Sequence, residues 1–213
     1  ICFTALTYLS PEKSLVILIG LLPTYGIRFS VLGIPTTLLE VIIWCVFIGW
    51  IIKQFKEHGR LVLPSLNSAL SLKNPFHPYA NLIVLWLAVA TVSSWYSPNQ
   101  VAAFGIWKAY FIDPLLVFVM VVLTFKNNPK RLSIPLALSV TVLAMSLFAW
   151  WQKTTGLNLP EPWTSNLPLR VTSWYSYPNA VGLFAAPVLA MLAVWFFNDL
   201  KKIYREIKPR MII

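Results

Sequence analysis

Charge is what this sequence has least of: 11% of its 213 residues are Asp, Glu, Lys or Arg, and only seven are acidic. So small a polar complement excludes an ordinary soluble domain, because 58% apolar residues exceed what one core of this length can hide. Cysteine is scarce as well. Cys2 and Cys45 stand in apolar stretches at no spacing that pairs them, which argues against a disulfide framework and supplies no Cys/His cluster for zinc or iron. They read as buried free thiols, and no metal or cofactor is expected. The two histidines, His58 and His77, share one polar segment and read as solvated loop residues, His77 within the turn-forming NPFHP. Glycine numbers eight, with no phosphate-cradling loop, and no internal repeat is visible. The net charge of +10 would suit nucleic acid, yet the basic residues lie scattered among apolar runs and form no aromatic-interleaved basic face, so nucleic-acid binding is not expected. An initiating Met is missing too. The opening ICFTALTYL is too short for a secretory signal, and PRMII ends as though entering another apolar run, so a larger protein is expected to surround these residues.

What is present is a series of long apolar runs, with a mean hydropathy of +0.70. A helix needs about 20 mostly apolar residues to cross roughly 30 Å of hydrocarbon. Five windows qualify: 33–52, whose one charge is Glu40; 79–97; 109–125, whose one charge is Asp113; 132–152; and 171–198. A sixth, 14–27, is short and interrupted by Pro23, so it is expected to be bent or partly interfacial. The fold class expected is all-α, a polytopic transmembrane helical bundle forming a single domain over 1–213.

The basic residues orient it. With the segment 53–78 placed on the cytoplasmic side, thirteen of the 17 Lys and Arg fall inside, leaving Arg28, Lys153 and Arg170 outside and Lys108 at a helix mouth. Cytoplasmic loops collect Lys and Arg, so this placement is the expected one. The segment 153–173 then becomes an outward loop, irregular by its Pro, Gly, Asn and Thr content, with Trp163 and Trp174 suited to the headgroup layer.

Polar groups inside apolar spans are costly enough that each prompts a question of function. Lys108 and Asp113 share the phrase GIWKAYFIDPLL, and either bind each other or neighbouring helices, or Lys108 lends a cation to an anionic site. Glu40 is expected to pair with Arg28 on the same side. Arg170 differs, because no carboxylate follows it in the span and Glu161 is the nearest before it. Its guanidinium stays charged and offers a planar fork of donors suited to phosphate or diphosphate, with lipid-phosphate snorkelling as the competing role. Pro178 suits the first turn of a helix, and Asn179 adds a donor and an acceptor there.

The stretch RVTSWYSYPNAVGLF resembles the O-antigen ligase and O-antigen polymerase superfamily of bacterial inner membranes, with its Arg, a short intervening stretch and Pro-Asn at the start of a span. LLPTYGIRFSVLGIPTTLLEV and WKAYFIDPLLVFVMV are weaker matches, in the order and spacing of that superfamily. The resemblance implies a metal-independent glycosyltransferase that moves a glycan from an undecaprenyl-pyrophosphate carrier to a glycan, lipid or protein acceptor at the outer face of the inner membrane. It implies Arg170 as a diphosphate-binding residue, with Lys108 and Arg28 as fainter candidates for the same anionic site. It also implies a catalytic histidine in a large periplasmic loop downstream, so 1–213 is expected to be the N-terminal half. The competing expectations are a transporter or flippase fragment, and a membrane scaffold without chemistry.

Overall fold

The computed structural model describes residues 2–31, 34–60, 80–126, 128–164 and 169–207. Their architecture is predominantly helical, and four helices are long and apolar enough to cross a bilayer: Leu38–His58, Gln100–Phe125, Ser133–Thr155 and Asn179–Asn198. The chain is a membrane protein in this sense, with broad apolar surfaces turned outward.

At the N-terminal end the expected sixth span is two short helices, α1 (Cys2–Leu9) and α2 (Pro11–Gly20), followed by a 3₁₀ turn, Leu22–Gly26. Pro11 lacks an N–H and is tolerated in the first turn of a helix but not inside one, so the chain breaks at Ser10 and restarts. Pro23 falls within the 3₁₀ turn, after α2 has already ended.

The helical class holds, with one short ribbon beside the helices. Strands β1 (Arg28–Val31) and β2 (Ile34–Thr37) pair antiparallel, Arg28 opposite Thr37 and Phe29 opposite Thr36. The apolar window beginning at 33 conceals β2, because a short β-branched segment carries the same hydropathy as a helix end. Helix α3 (Leu38–His58) therefore starts five residues after that window opens. Its start is set by a capping box: the Thr37 hydroxyl accepts from the Glu40 N–H, while the Glu40 carboxylate accepts from the Thr37 N–H. It ends at Gly59, in the left-handed conformation at φ 65°.

The window 79–97 becomes α4 (Ala80–Trp95), 16 residues long. At 1.5 Å per residue these described residues cover about 24 Å, so four of the five expected spans reach membrane length among the described residues. The next segment starts earlier than expected: α5 (Gln100–Trp107), a π turn (Lys108–Ile112) and α6 (Asp113–Phe125) run on as one rod. Then come α7 (Ser133–Thr155) and α8 (Asn179–Ile207), the latter beginning well after residue 171 because residues 171–178 are irregular.

Two compact units are distinguishable, Ile1–Leu18 with Ile27–Arg131, and Ile19–Gly26 with Leu132–Ile213. In the first, α1 packs closely on α3 where Gly49 faces the Thr4 carbonyl; a Cβ on that glycine would come within 2.5 Å of the oxygen. Leu15, Leu18, Val46, Trp50 and Met120 are its best-buried large side chains. In the second, α7 packs on α8. Helix α7 buries Thr141, Val142, Met145, Ala149 and Gln152 along one face and turns Val140, Leu143, Leu147 and Trp150 outward on another. That two-sided pattern is a helix with protein on one side and hydrocarbon on the other.

Candidate functional site

The polar residues of the second unit converge at the C-terminal end of α7. That helix stops at Gly156, left-handed at φ 71°, whose N–H closes on the Gln152 carbonyl at 2.9 Å. The Gln152 side chain lies just inside this stop and is fully buried. Its amide is a hub. Nε2 donates to the carbonyls of Asn158 (2.8 Å) and Ser173 (3.2 Å), and Oε1 accepts from the N–H groups of Thr172 (3.2 Å) and Ser173 (2.8 Å). A single side chain thus ties both described ends of the loop to the helix. Ser173, held at φ 50°, adds a bond from its hydroxyl to the Met145 carbonyl at 2.9 Å.

This anchoring positions Arg170, which is exposed. One guanidinium nitrogen donates to Asn179 Oδ1 at 3.3 Å, and the group lies over the Trp163 ring, 5.1 Å from its centroid. Trp163 is steadied by its own indole N–H, which donates to the Ser176 carbonyl at 3.1 Å. Lys153 donates to the carbonyl of Leu169, the neighbour of Arg170, at 2.7 Å. Two cations therefore stand on neutral partners. Among the described residues no ion pair includes either of them. The carboxylate of Glu161 is engaged by the Thr164 hydroxyl. Burial, and to a smaller extent Tyr177, raises Tyr175 above the ordinary phenol range, so that it is a neutral hydroxyl at pH 7.

The first unit gathers a different cluster. Lys108 makes an ion pair with Glu40 at 3.2 Å, so Glu40, for which Arg28 is the expected partner, draws its cation from another helix. Glu40 is 6% exposed and Asp113 3% exposed, and Asp113 lies beside the Glu40 carboxyl and the Trp44 indole. The Thr36 hydroxyl donates to Glu40 Oε2 at 2.5 Å. In an α-helix, residues five apart point about 140° away from each other. Here the π turn intervenes, with the Asp113 N–H bonded to the Lys108 carbonyl, and five residues make about one turn. Lys108 and Asp113 thereby share a face. The local cause is Pro114, which has no N–H to give the Tyr110 carbonyl and so breaks the α ladder at this point. Arg28, on β1, belongs to this unit, whereas Arg170 and Asn179 belong to the other.

Each unit carries one copy of an internal repeat, where none was expected. Val92-Ser-Ser-Trp-Tyr-Ser-Pro-Asn-Gln-Val101 and Val171-Thr-Ser-Trp-Tyr-Ser-Tyr-Pro-Asn-Ala-Val181 are one phrase with two exchanges, Ser93 for Thr172 and Gln100 for Ala180, and one inserted tyrosine, and each leads into a long apolar helix. The inserted residue masks the repeat in a fixed-spacing scan. In the first copy, Asn99 Oδ1 accepts from the Ala102 N–H and caps α5 at 3.1 Å. In the second, the equivalent oxygen of Asn179 faces Arg170 instead. No protein-family model, curated protein or solved structure matches the chain.

Proposed function

We propose that this chain forms part of a membrane glycosyltransferase of the O-antigen ligase type, in which Arg170 binds the diphosphate of an undecaprenyl-pyrophosphate-linked glycan at the outer face of a bacterial inner membrane. One observation carries the reading: an exposed guanidinium, steadied by an amide oxygen and an indole face, with its charge unmet by any described carboxylate. A snorkelling arginine needs no such cradle. The likeness of RVTSWYSYPNAVGLF to that superfamily and the bias of Lys and Arg toward the opposite side support it.

The chemistry fits what the residues offer. An acceptor hydroxyl attacks the anomeric carbon, the carbon–oxygen bond to the diphosphate breaks, and the departing diphosphate gains negative charge as the hydroxyl proton leaves to a base. Preorganised cations at a water-poor boundary stabilise that developing charge. The planar fork of Arg170 suits two phosphate oxygens at once, and Lys153 stands next to it as a point charge. Asn179 and Trp163 orient the guanidinium. Lys108, already neutralised by Glu40, has no part in this reading, and neither does Arg28. The bias of Lys and Arg puts the segment of His58 and His77 on the opposite side of the membrane, and His77 lies outside the described residues, so the base falls to a histidine beyond 1–213.

A second reading, a transporter, is favoured by one observation, the buried carboxyls Glu40 and Asp113 within spans. The decisive experiment places the full-length protein in liposomes with a polyprenyl-pyrophosphate glycan and candidate acceptors. Arg170→Ala is expected to abolish transfer while inserting normally, and Arg170→Lys to restore only part of it. Wild-type turnover by the alanine variant would end this assignment.

A further inference from the structure

Charge around Asp113 does not balance if every group is ionised. Lys108 supplies one positive charge and is 3.2 Å from Glu40, which it neutralises. Asp113, 3% exposed, then has no cation of its own, and its Oδ1 is sealed from solvent without a hydrogen-bond partner. Removing a carboxylate from water costs several kcal/mol unless it is paired, and a second carboxylate beside it adds repulsion. The neighbouring elements offer one neutral donor, the Trp44 indole, and no second cation among the described residues beside it. Helix α3 presents Glu40 and the Cys45 thiol near this end, with Lys53, Lys56, Glu57 and His58 at its opposite end. The π turn adds Lys108 and the exposed Tyr110, and β2 has no titratable residue. Helix α1, packed on α3, brings Cys2 and Tyr8, and the latter meets Lys56.

We propose that Asp113 is a proton-binding site inside the membrane: it carries one proton, shared with the Glu40 carboxyl, so that Lys108, Glu40 and Asp113 form an electrically neutral cluster. The π turn is the device that builds it. By stacking Asp113 under Lys108 it brings both to the Glu40 carboxyl, where one ammonium serves two acids and a proton serves as the second cation. The inference is independent of the reading of Arg170, which lies in the other unit.

Infrared difference spectroscopy of the full-length protein in lipid at pH 7 tests it. Wild type minus Asp113→Asn is expected to show one carboxylic-acid carbonyl band that moves down in D₂O. Lys108→Met removes the cation from Glu40, and its difference against wild type is expected to show a second such band. The chain has only two aspartates, Asp113 and Asp199. Isotopic labelling of aspartate in the wild type therefore shifts the first band even if Asp113→Asn does not fold. Difference spectra containing only ionised carboxylate bands, or an acid band that the aspartate label leaves in place, would overturn the proposal.

Discussion

Replacing Gln152 by leucine isolates the part of the molecule that holds Arg170 in place. Leucine has nearly the volume of glutamine and suits a position that is fully buried on an apolar helix, so packing is largely preserved. What disappears is the amide and its four hydrogen bonds. The Asn158 carbonyl is on an exposed residue and can turn to water. The N–H groups of Thr172 and Ser173 cannot, since those residues are 0% and 4% exposed. Leaving a buried donor unpaired costs about 1–3 kcal/mol, which for two of them, less the small gain from burying an apolar group, gives roughly 3 kcal/mol. The cost falls on the loop, because α7 keeps its own backbone ladder. Opening of residues 169–176 is therefore expected to become about a hundredfold more frequent, at 1.4 kcal/mol per factor of ten. Hydrogen–deuterium exchange of nanodisc-embedded protein, followed by mass spectrometry, measures this directly. Exchange in that segment unchanged from wild type, with α7 intact, would refute the claim that Gln152 clasps the loop.

Three further outcomes rest on the contacts described above. Gly49→Ala must move α1 off α3, because the new methyl meets the Thr4 carbonyl at 2.5 Å; a loss of about 1–3 kcal/mol is expected in reversible unfolding in mixed micelles. Trp163→Ala removes the face under Arg170 and is expected to weaken donor binding by about two- to fivefold, worth about 0.5–1 kcal/mol at an exposed cation–π site, visible as a higher KM for the lipid-linked glycan. Glu12→Gln breaks an ion pair with Lys130 whose partners are 31% and 63% exposed, and stability is expected to change by less than about 1 kcal/mol, with the remainder vanishing at high salt.

How far the sequence reaches can be judged from particular residues. Composition and run length were enough for a helical membrane protein, since an uninterrupted apolar run of membrane length has few other uses. The limits of those runs were less legible. Hydropathy does not separate Ile34–Thr37, a strand, from the adjoining helix, and only the Thr37–Glu40 capping box marks the boundary. Asn179, rather than Val171, opens α8, because buried polar contacts through Gln152 hold residues 172–173 out of any helix. Arg170 stood out as a cation without a sequence neighbour of opposite charge, and its cradle involves Asn179, nine positions on. Trp163 suggested only an interfacial aromatic, and Gln152 carried no signal beyond being a polar residue near the end of an apolar helix. The grouping of Glu40 with Lys108 and Asp113 was invisible to α-helical periodicity, because it depends on a turn that departs from that period.

That wide turn makes one proline, more than the charged residues themselves, the guarded feature of this rod. With alanine in place of Pro114 the Tyr110 carbonyl regains a partner, and the rod, at unchanged length, is free to relax to regular winding, in which five residues turn through about 500° in place of one circle. Lys108 would then face about 140° away from Asp113 even though every side chain of the cluster was still encoded. Excising one residue of the turn together with the proline would undo most of that swing, since four residues of regular helix turn through about 400°.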